Sequence, residues 1–183
     1  IDRELDKNMV RTAKRPLADG RLTSAEGLAF GLGLSLLSYY LLACFVNGLA
    51  ALLSLAGIIY YVILYSLWLK KATVQNIVIG GGAGAIPPMV GYAAATGHLD
   101  WTAWILFAII FRWTPPHFWA LAIVRMKDYE NAGVPMLPVV RGEMETRKQI
   151  LVYTVELVIV TLLLPILNLA GTFYLISSLV LGG

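Results

Sequence analysis

Residues 49–69 read LAALLSLAGIIYYVILYSLWL, a run of twenty-one positions without a charged side chain. A helix of about 20 apolar residues spans the roughly 30 Å hydrocarbon core of a bilayer. Comparable apolar runs fall at 26–46, 76–96, 101–123 and 150–167, and a shorter one begins at 171 and continues to 183. The sequence therefore predicts an all-α, polytopic membrane helix bundle with about five complete transmembrane helices and one partial one.

The composition supports a membrane protein. Of the 183 residues, 58% are hydrophobic and only 14% are charged, whereas about a quarter are charged in a soluble domain. The single cysteine, Cys44, excludes a disulfide framework and a cysteine-based metal site. In such an apolar chain a net charge of +3 is typical of basic cytoplasmic loops, so we expect a lipid bilayer and no nucleic acid as partner.

The basic residues lie on one side of the predicted bundle. The joints without Lys or Arg are short and fall at 47–48, 97–100 and 168–171. Thirteen of the fourteen Lys and Arg residues lie in the alternate segments, at 1–25, 70–75 and 124–149. By the positive-inside rule these segments face the cytoplasm or, in an organelle, the matrix. We call 1–25 the first rim segment and 124–149 the second, and expect them to cap a cavity.

The first rim segment opens with IDRELDKNMVRTAKRPL, residues 1–17. Asp2 and Asp6 are four residues apart, so on a helix both carboxylates share one face. Mg²⁺ is usually held by one or two carboxylates together with substrate phosphates. Three cations suited to diphosphate oxygens follow at Arg11, Lys14 and Arg15. The alternative interpretation is a mixed-charge surface helix.

Two predicted spans contain proline pairs, at Pro87-Pro88 and Pro115-Pro116. A proline pair removes helical N–H donors and bends the helix, which a membrane tolerates where protein or a cavity satisfies the freed carbonyls. We therefore expect an internal cavity, although the glycines before Pro87 would also suit simple helix packing. Aromatic residues that would line the cavity, or lie in the core or at the interface, are Tyr60, Tyr61, Tyr65, Trp113 and Trp119.

Arg112 and His117 lie in the middle of a predicted span. An ionisable side chain there costs about 2.5–3.5 kcal/mol on insertion scales, so Arg112 should face the interior or a carboxylate. If the helix continued to 128, one stripe would hold Trp113, His117, Leu121, Val124 and Asp128. His117 would then lie about 16 Å below Asp128, as an interhelical hydrogen-bonding group, a general base or an axial haem ligand.

Four blocks carry a family resemblance: DRELDKNMVRTAKRPL (2–17), LKKATVQNIVIGGGAGAIPPMVG (69–91), WTPPHFWALA (113–122) and KDYENAGVPMLPVV (127–140). They occur in the same order in UbiA-type intramembrane prenyltransferases, and together the match covers roughly residues 2–150. The chain resembles in particular the branch of protoheme IX farnesyltransferases, or haem O synthases. The last two blocks favour this haem branch over relatives that act on quinone or chlorophyll precursors.

The resemblance implies a nine-helix membrane enzyme that transfers a farnesyl group from farnesyl diphosphate to the vinyl group of protohaem IX (haem b). The products are haem O and diphosphate. The chain would form a single transmembrane prenyltransferase domain, 1–183, truncated at both ends and inactive alone. Relative to the family it would lack the first two helices, about one helix at the end, and an asparagine before Asp2. The alternatives are an aromatic or quinone-precursor acceptor and, from a different class, a membrane transporter.

The resemblance also implies roles for individual residues. Mg²⁺ would be held by Asp2, Asp6 and Asp128, with Lys127 beside Asp128 in the second rim motif. Diphosphate oxygens would be contacted by Arg11, Lys14, Arg15, Lys70 and Asn76. His117, at the position after the proline pair, is the candidate for haem contact. Arg112 is a second candidate only because of its mid-span charge, which would suit a carboxylate or propionate-like partner, since an apolar residue is expected there in relatives.

The implied setting is a multi-pass protein of the bacterial inner membrane, or alternatively of the mitochondrial inner membrane. Its active-site rim would face the cytoplasm or matrix. Besides farnesyl diphosphate, haem b and the bilayer, terminal-oxidase assembly proteins are candidate partners.

Overall fold

The computed structural model describes residues 3–7, 12–69 and 72–182, with Glu4 and Leu5 described by their backbone alone. Within these ranges the regular secondary structure is all helical, without strands, as predicted. In chain order the helices are α1 (Arg3–Lys7), α2 (Ser24–Phe45), α3 (Gly48–Ile59), the π-helix π1 (Tyr60–Leu69), α4 (Asn76–Thr96), α5 (Trp101–Val124), α6 (Met126–Asn131), α7 (Leu137–Ile166) and α8 (Thr172–Gly182).

Five helical segments of the described chain are long and apolar enough to cross a membrane, which confirms the predicted spans. Helix α3 and π1 together form one of them, Gly48–Leu69. The fifth span differs from the prediction because α7 begins at Leu137 rather than near 150. Because α7 begins at Leu137, much of the second rim segment is helical rather than a loop. Gly142, with φ 80° and ψ 168°, kinks α7 within this segment.

Polar side chains fix where three of the spans begin. Thr23 and Glu26 form a reciprocal capping box at the start of α2, which satisfies backbone donors that the first helical turn leaves without partners. Asn47 caps α3 through its Oδ1 atom and also donates through Nδ2 to the carbonyl oxygen of Ala93, at 2.8 Å. Asp100 caps α5 by accepting from the backbone of Thr102. The short joints are therefore held by side-chain caps.

The spanning helices pack mainly on their neighbours in the chain. Helix α2 lies on α3, α3 and π1 lie on α4, α4 lies on α5, α5 lies on α7, and α7 lies on α8. Helix α2 has no buried residue, whereas α4 and α5 supply much of the core. Both α4 and α5 stay continuous through their proline pairs, so the prolines weaken the hydrogen-bond ladder without ending the helix.

Candidate active site

A cavity of about 650 Å³ lies between α3 with π1, α4 and α5. This volume is within the range of small-molecule sites, about 300–1,000 Å³. Apolar side chains and glycines dominate its wall. A cavity therefore lies beside the proline-containing helices, as predicted, but it is open on one side, since its wall residues Tyr61, Trp113 and Phe118 are 50%, 43% and 40% exposed.

The cavity extends from the basic side into the membrane region. On α4 its lining begins at Ile77, one residue into the helix, and continues to Val90. Thirteen residues of helix correspond to about 20 Å, or two thirds of the hydrocarbon thickness. On α5 the lining runs from Ile110 to Phe118, toward the basic end of that helix. A long apolar molecule entering from the basic rim would fit this shape.

Aromatic rings pack against the glycine-rich part of α4. A Cβ atom at Gly80 would collide with the ring of Tyr65, so only glycine allows that close approach. Tyr65, Tyr61 and Trp113 line the cavity, as predicted. The other two rings do not line the cavity. The hydroxyl of Tyr60 donates to the carbonyl oxygen of Ile79 at 2.6 Å, and Trp119 is buried in the core, which is the alternative setting given for these aromatic residues.

The second rim segment is anchored by a buried cluster around Trp119. Trp119 is 2% exposed and meets the ring of Tyr153 edge-on, with centroids 5.4 Å apart. The other buried members are Ile77, Ala122, Ala132, Val134, Met136 and Leu137. Because Ile77 belongs to both this cluster and the cavity wall, the second rim segment packs directly at the basic end of the cavity.

Three predicted site residues lie on this anchored part of the rim. Asn76, the first residue of α4, is 1% exposed and precedes the shared Ile77. Asp128 is half-buried and Lys127 is exposed on α6. Helix α6 packs on α5 and α7, and Ala132 and Val134, which follow it, are buried with Ile77 of α4. The second acidic motif and the Gln75-Asn76 turn therefore lie at the same end of the bundle.

The first rim segment folds on itself. Nη1 of Arg15 contacts both carboxylate oxygens of Asp6, at 3.1 and 3.3 Å, and the carboxylate is 17% exposed. The hydroxyl of Thr12 donates to the main-chain oxygen of Asp6 at 2.9 Å. Arg21 donates to the main-chain oxygen of Lys14 at 2.8 Å. Two predicted diphosphate and metal residues, Arg15 and Asp6, are therefore brought together.

No helix–helix contact in the described part of the chain joins the two rim segments. Helix α1 contacts no other described helix, and no group of three or more His, Cys, Asp or Glu side chains there is placed to hold a metal ion. Asp2, Arg11 and Lys70 lie outside the described residues. The shared site of Asp2, Asp6 and Asp128 stays a prediction.

The predicted stripe from Trp113 to Asp128 is wrong as a single helix face. Helix α5 ends at Val124, and Arg125, with φ −112° and ψ 26°, separates it from α6. The part of the stripe within α5 is confirmed, since His117 stacks on Trp113 with ring centroids 4.3 Å apart. Since Trp113 lines the cavity, His117 lies beside the cavity wall, but no continuous helix connects it to Asp128.

Arg112 has a carboxylate partner, which is one of the two environments predicted for it. Its Nη1 atom lies 2.9 Å from Oε2 of Glu156 in α7, and its guanidinium lies 5.7 Å from the centroid of the Tyr153 ring. Arg112 and His117 are about 140° apart around α5, at 100° per residue. The two haem candidates therefore do not face a common space.

Glu156 was not among the predicted site residues, although an acidic residue within an apolar run is the same signal that marked Arg112.

The sequence comparisons agree with this architecture. The model of the UbiA prenyltransferase family matches residues 1–183. The chain belongs to the UbiA prenyltransferase family. This membership favours a prenyltransferase over the transporter alternative, and it agrees with the family resemblance seen in the four sequence blocks.

Three relatives of this UbiA family member are named protoheme IX farnesyltransferase. That of Roseiflexus sp. (strain RS-1) is 54% identical over 183 residues, which are 100% of this chain and 34% of the relative. That of Synechococcus sp. (strain JA-3-3Ab) is 57% identical over 182 residues, 99% of this chain and 55% of the relative. That of Gloeobacter violaceus is 54% identical over 182 residues, 100% of this chain and 60% of the relative.

This UbiA-family chain therefore spans between a third and three fifths of the length of these relatives. No solved structure matches it.

Proposed function

We propose that the chain forms part of a farnesyltransferase that joins farnesyl diphosphate to the vinyl group of protohaem IX, giving haem O and diphosphate. The observation that carries the proposal is the long apolar cavity whose upper wall, at Ile77, is shared with the basic rim. An isoprenoid diphosphate has one charged end and one long apolar end, which match these two surfaces. The names of the similar relatives support farnesyl as the group and haem as the acceptor.

The diphosphate would bind at the rim. Arg15, with Lys14 exposed beside it, offers donors to phosphate oxygens, for which guanidinium groups are well suited. We propose the same role for the remaining predicted residues, Arg11, Lys70, Asn76 and Lys127. Together they would stabilise the negative charge that develops on the leaving diphosphate, which is commonly a large term in catalysis.

The carboxylates of the rim fit Mg²⁺. Asp6 and Asp128 provide the hard oxygen donors this ion prefers, and one or two carboxylates suffice when substrate phosphates complete the shell. We propose that these residues, with Asp2, hold it. A bound Mg²⁺ would neutralise diphosphate charge, while Arg15, now paired with Asp6, would turn toward a phosphate oxygen.

The cavity would hold the farnesyl tail and exclude water from its reacting end. Tyr61, Tyr65 and Trp113 present aromatic rings to this space, and the faces of such rings attract a cationic centre. The allylic carbon that loses diphosphate would bond to the outer carbon of the haem vinyl group. Water would then add to the carbocation left on the inner carbon and release a proton, giving the hydroxylated product. His117, stacked on Trp113, is the proposed haem contact. Arg112 is a weaker one, because Glu156 already neutralises it.

We propose that residues 1–183 act as one membrane domain with the rim on the cytoplasmic side of a bacterial inner membrane. The bacterial sources of the relatives support this setting, and the basic rim follows the positive-inside rule. The inactivity of the chain alone and contact with terminal-oxidase assembly proteins stay predictions.

The test is to replace Asp6 by Asn and measure Mg²⁺-dependent binding of farnesyl diphosphate to the chain in lipid nanodiscs. Asp19→Asn is a matched control, because Asp19 is another carboxylate of the same segment and pairs with Arg21. We expect Asp6→Asn to weaken Mg²⁺-dependent binding about tenfold or more, as for loss of a charged hydrogen-bonding group, and Asp19→Asn to leave it unchanged.

Equal binding by the wild type and Asp6→Asn would exclude the metal role. The acceptor is tested separately in the full-length enzyme, by supplying protohaem and a quinone precursor together with farnesyl diphosphate and identifying the prenylated product by mass spectrometry. A prenylated quinone precursor in place of haem O would exclude the haem assignment.

A further inference from the structure

Four glycines line the cavity within the described residues: Gly57, Gly80, Gly81 and Gly84. At three of them, a neighbouring side chain already occupies the space that a Cβ atom would need. A Cβ atom at Gly57 would lie 3.2 Å from Ile86, one at Gly81 would lie 3.0 Å from Thr114, and one at Gly80 would collide with Tyr65. These three glycines allow close packing.

Gly84 differs from the other three. A Cβ atom there would have no heavy atom within 4 Å, and the residue is exposed although it lies in the middle of α4. Since Gly84 also lines the cavity, its missing side chain leaves open cavity space. Close helix packing therefore does not explain glycine at this position.

Gly84 lies halfway along the cavity wall. It is seven residues from Ile77 and six from Val90, the first and last residues of α4 in the lining, which correspond to about 10 Å and about 9 Å. A side chain at position 84 would project into the cavity between an upper half near the rim and a lower half deep in the membrane. With such a side chain, the cavity would have room only for the first isoprene units of an isoprenoid that enters from the rim.

We propose that Gly84 determines how long an isoprenoid chain the cavity accepts. The inference rests on the proposed function for the identity of the occupant, an isoprenoid held with its diphosphate at the rim. Gly84 acts by the absence of a side chain and takes no part in the chemistry, so its effect is on the choice between chains of different length.

The test compares the dissociation constants of geranyl diphosphate and farnesyl diphosphate, with Mg²⁺, for the chain in lipid nanodiscs. The ratio of the two constants is the readout, because both probes carry the same diphosphate and the contribution of the rim cancels. Each buried CH₂ group changes affinity by about fourfold, so partial exclusion of the third isoprene unit is easily detected.

We expect Gly84→Leu to weaken farnesyl diphosphate binding about tenfold or more, and geranyl diphosphate binding by less than about threefold. Gly91→Leu is the matched control: Gly91 is on the same helix, is exposed and has the same open space around it, but it does not line the cavity. It should leave the ratio unchanged. Gly84→Ala and Gly84→Val form a graded series that preserves the test if the leucine variant does not fold.

The proposal would be overturned if folded Gly84 variants kept the wild-type ratio of dissociation constants, or if Gly91→Leu changed that ratio as much as Gly84→Leu. It would also be overturned if the wild type did not bind farnesyl diphosphate. Failure of the proposed function is a different result: binding would still depend on chain length and on Gly84, but Asp6→Asn would have no effect and no haem product would form.

Discussion

The ion pair between Arg112 and Glu156 is expected to join α5 and α7 in the middle of the membrane. Arg112 is eleven residues from the start of α5 and twelve from its end, about 17 Å from either side. The N–O distance is 2.9 Å, and the paired oxygen of Glu156 is buried. Replacing Glu156 by Leu would leave an unpaired guanidinium in this region.

The expected loss follows from the position of the charge. An unpaired charge at mid-span costs about 2.5–3.5 kcal/mol on insertion scales, whereas neutral hydrogen bonds between membrane helices average about 0.6 kcal/mol. Snorkelling and local water defects allow partial relief of an unpaired charge, so we expect Glu156→Leu to lower the free energy of unfolding by about 2 kcal/mol. The same loss is expected for Arg112→Leu.

The double variant Arg112→Leu/Glu156→Leu removes both charges and should recover most of the loss, to within about 1 kcal/mol of the wild type. The assay is reversible unfolding in mixed micelles, followed by tryptophan fluorescence, for the four proteins of the cycle. With two single losses of about 2 kcal/mol and a double loss of at most about 1 kcal/mol, the predicted coupling is about 3–4 kcal/mol. If the two single losses simply add in the double variant, the ion pair does not stabilise the bundle and our reasoning is refuted.

Three further predictions concern the helix joints and the cavity wall. Asn47→Ala should lower the free energy of unfolding by about 1–2 kcal/mol, since it removes both the helix cap and the bond to α4, whereas Asn47→Asp should keep the cap; equal losses in the two variants would contradict this assignment. Gly80→Ala should destabilise the protein by about 1–3 kcal/mol through its collision with Tyr65, and the loss should shrink in a Tyr65→Leu background; a loss independent of residue 65 would exclude the collision. Hydrogen bonds to the Asp100 carboxylate, first from the hydroxyl of Tyr92 at 2.6 Å, lower the pKa of Asp100, so its stabilisation is present at neutral pH and is lost as the pH falls through that lowered pKa. Asp100→Ala should therefore have a lower melting temperature at pH 7 and a smaller fall in it on acidification than the wild type, and parallel curves would contradict the shift.

The membrane spans were predictable because their signal is local: a run of about 20 apolar residues is long enough to cross a bilayer. The start of α7 was missed for the same reason, since residues 137–149 are rich in charge and resemble a loop. In the structure, part of this charge stabilises the helix beyond the membrane. Arg147 pairs with Glu143 at 2.6 Å, four residues earlier, as suits a helix surface.

The end of α5 was not predictable from local sequence. Neither a glycine nor a proline marks Arg125, where the helix ends. The chain returns over the bundle there because Val134 and Met136 are buried with Trp119, a contact between distant residues that periodicity does not contain. The open space at Gly84 is likewise a property of packing, since its neighbours Gly80 and Gly81 look the same in sequence.

Our central claim is that the rim carboxylates and the apolar cavity bind opposite ends of one molecule. The most direct measurement uses a farnesyl diphosphate analogue with a photoreactive group at the end of its tail, followed by mapping of the labelled peptides. We predict Mg²⁺-dependent labelling of the cavity wall near Val90 and Ser54, and its loss in the Asp6→Asn/Asp128→Asn variant. Labelling of the outer surface of α2 instead, or cavity labelling that needs neither Mg²⁺ nor the two carboxylates, would contradict the claim.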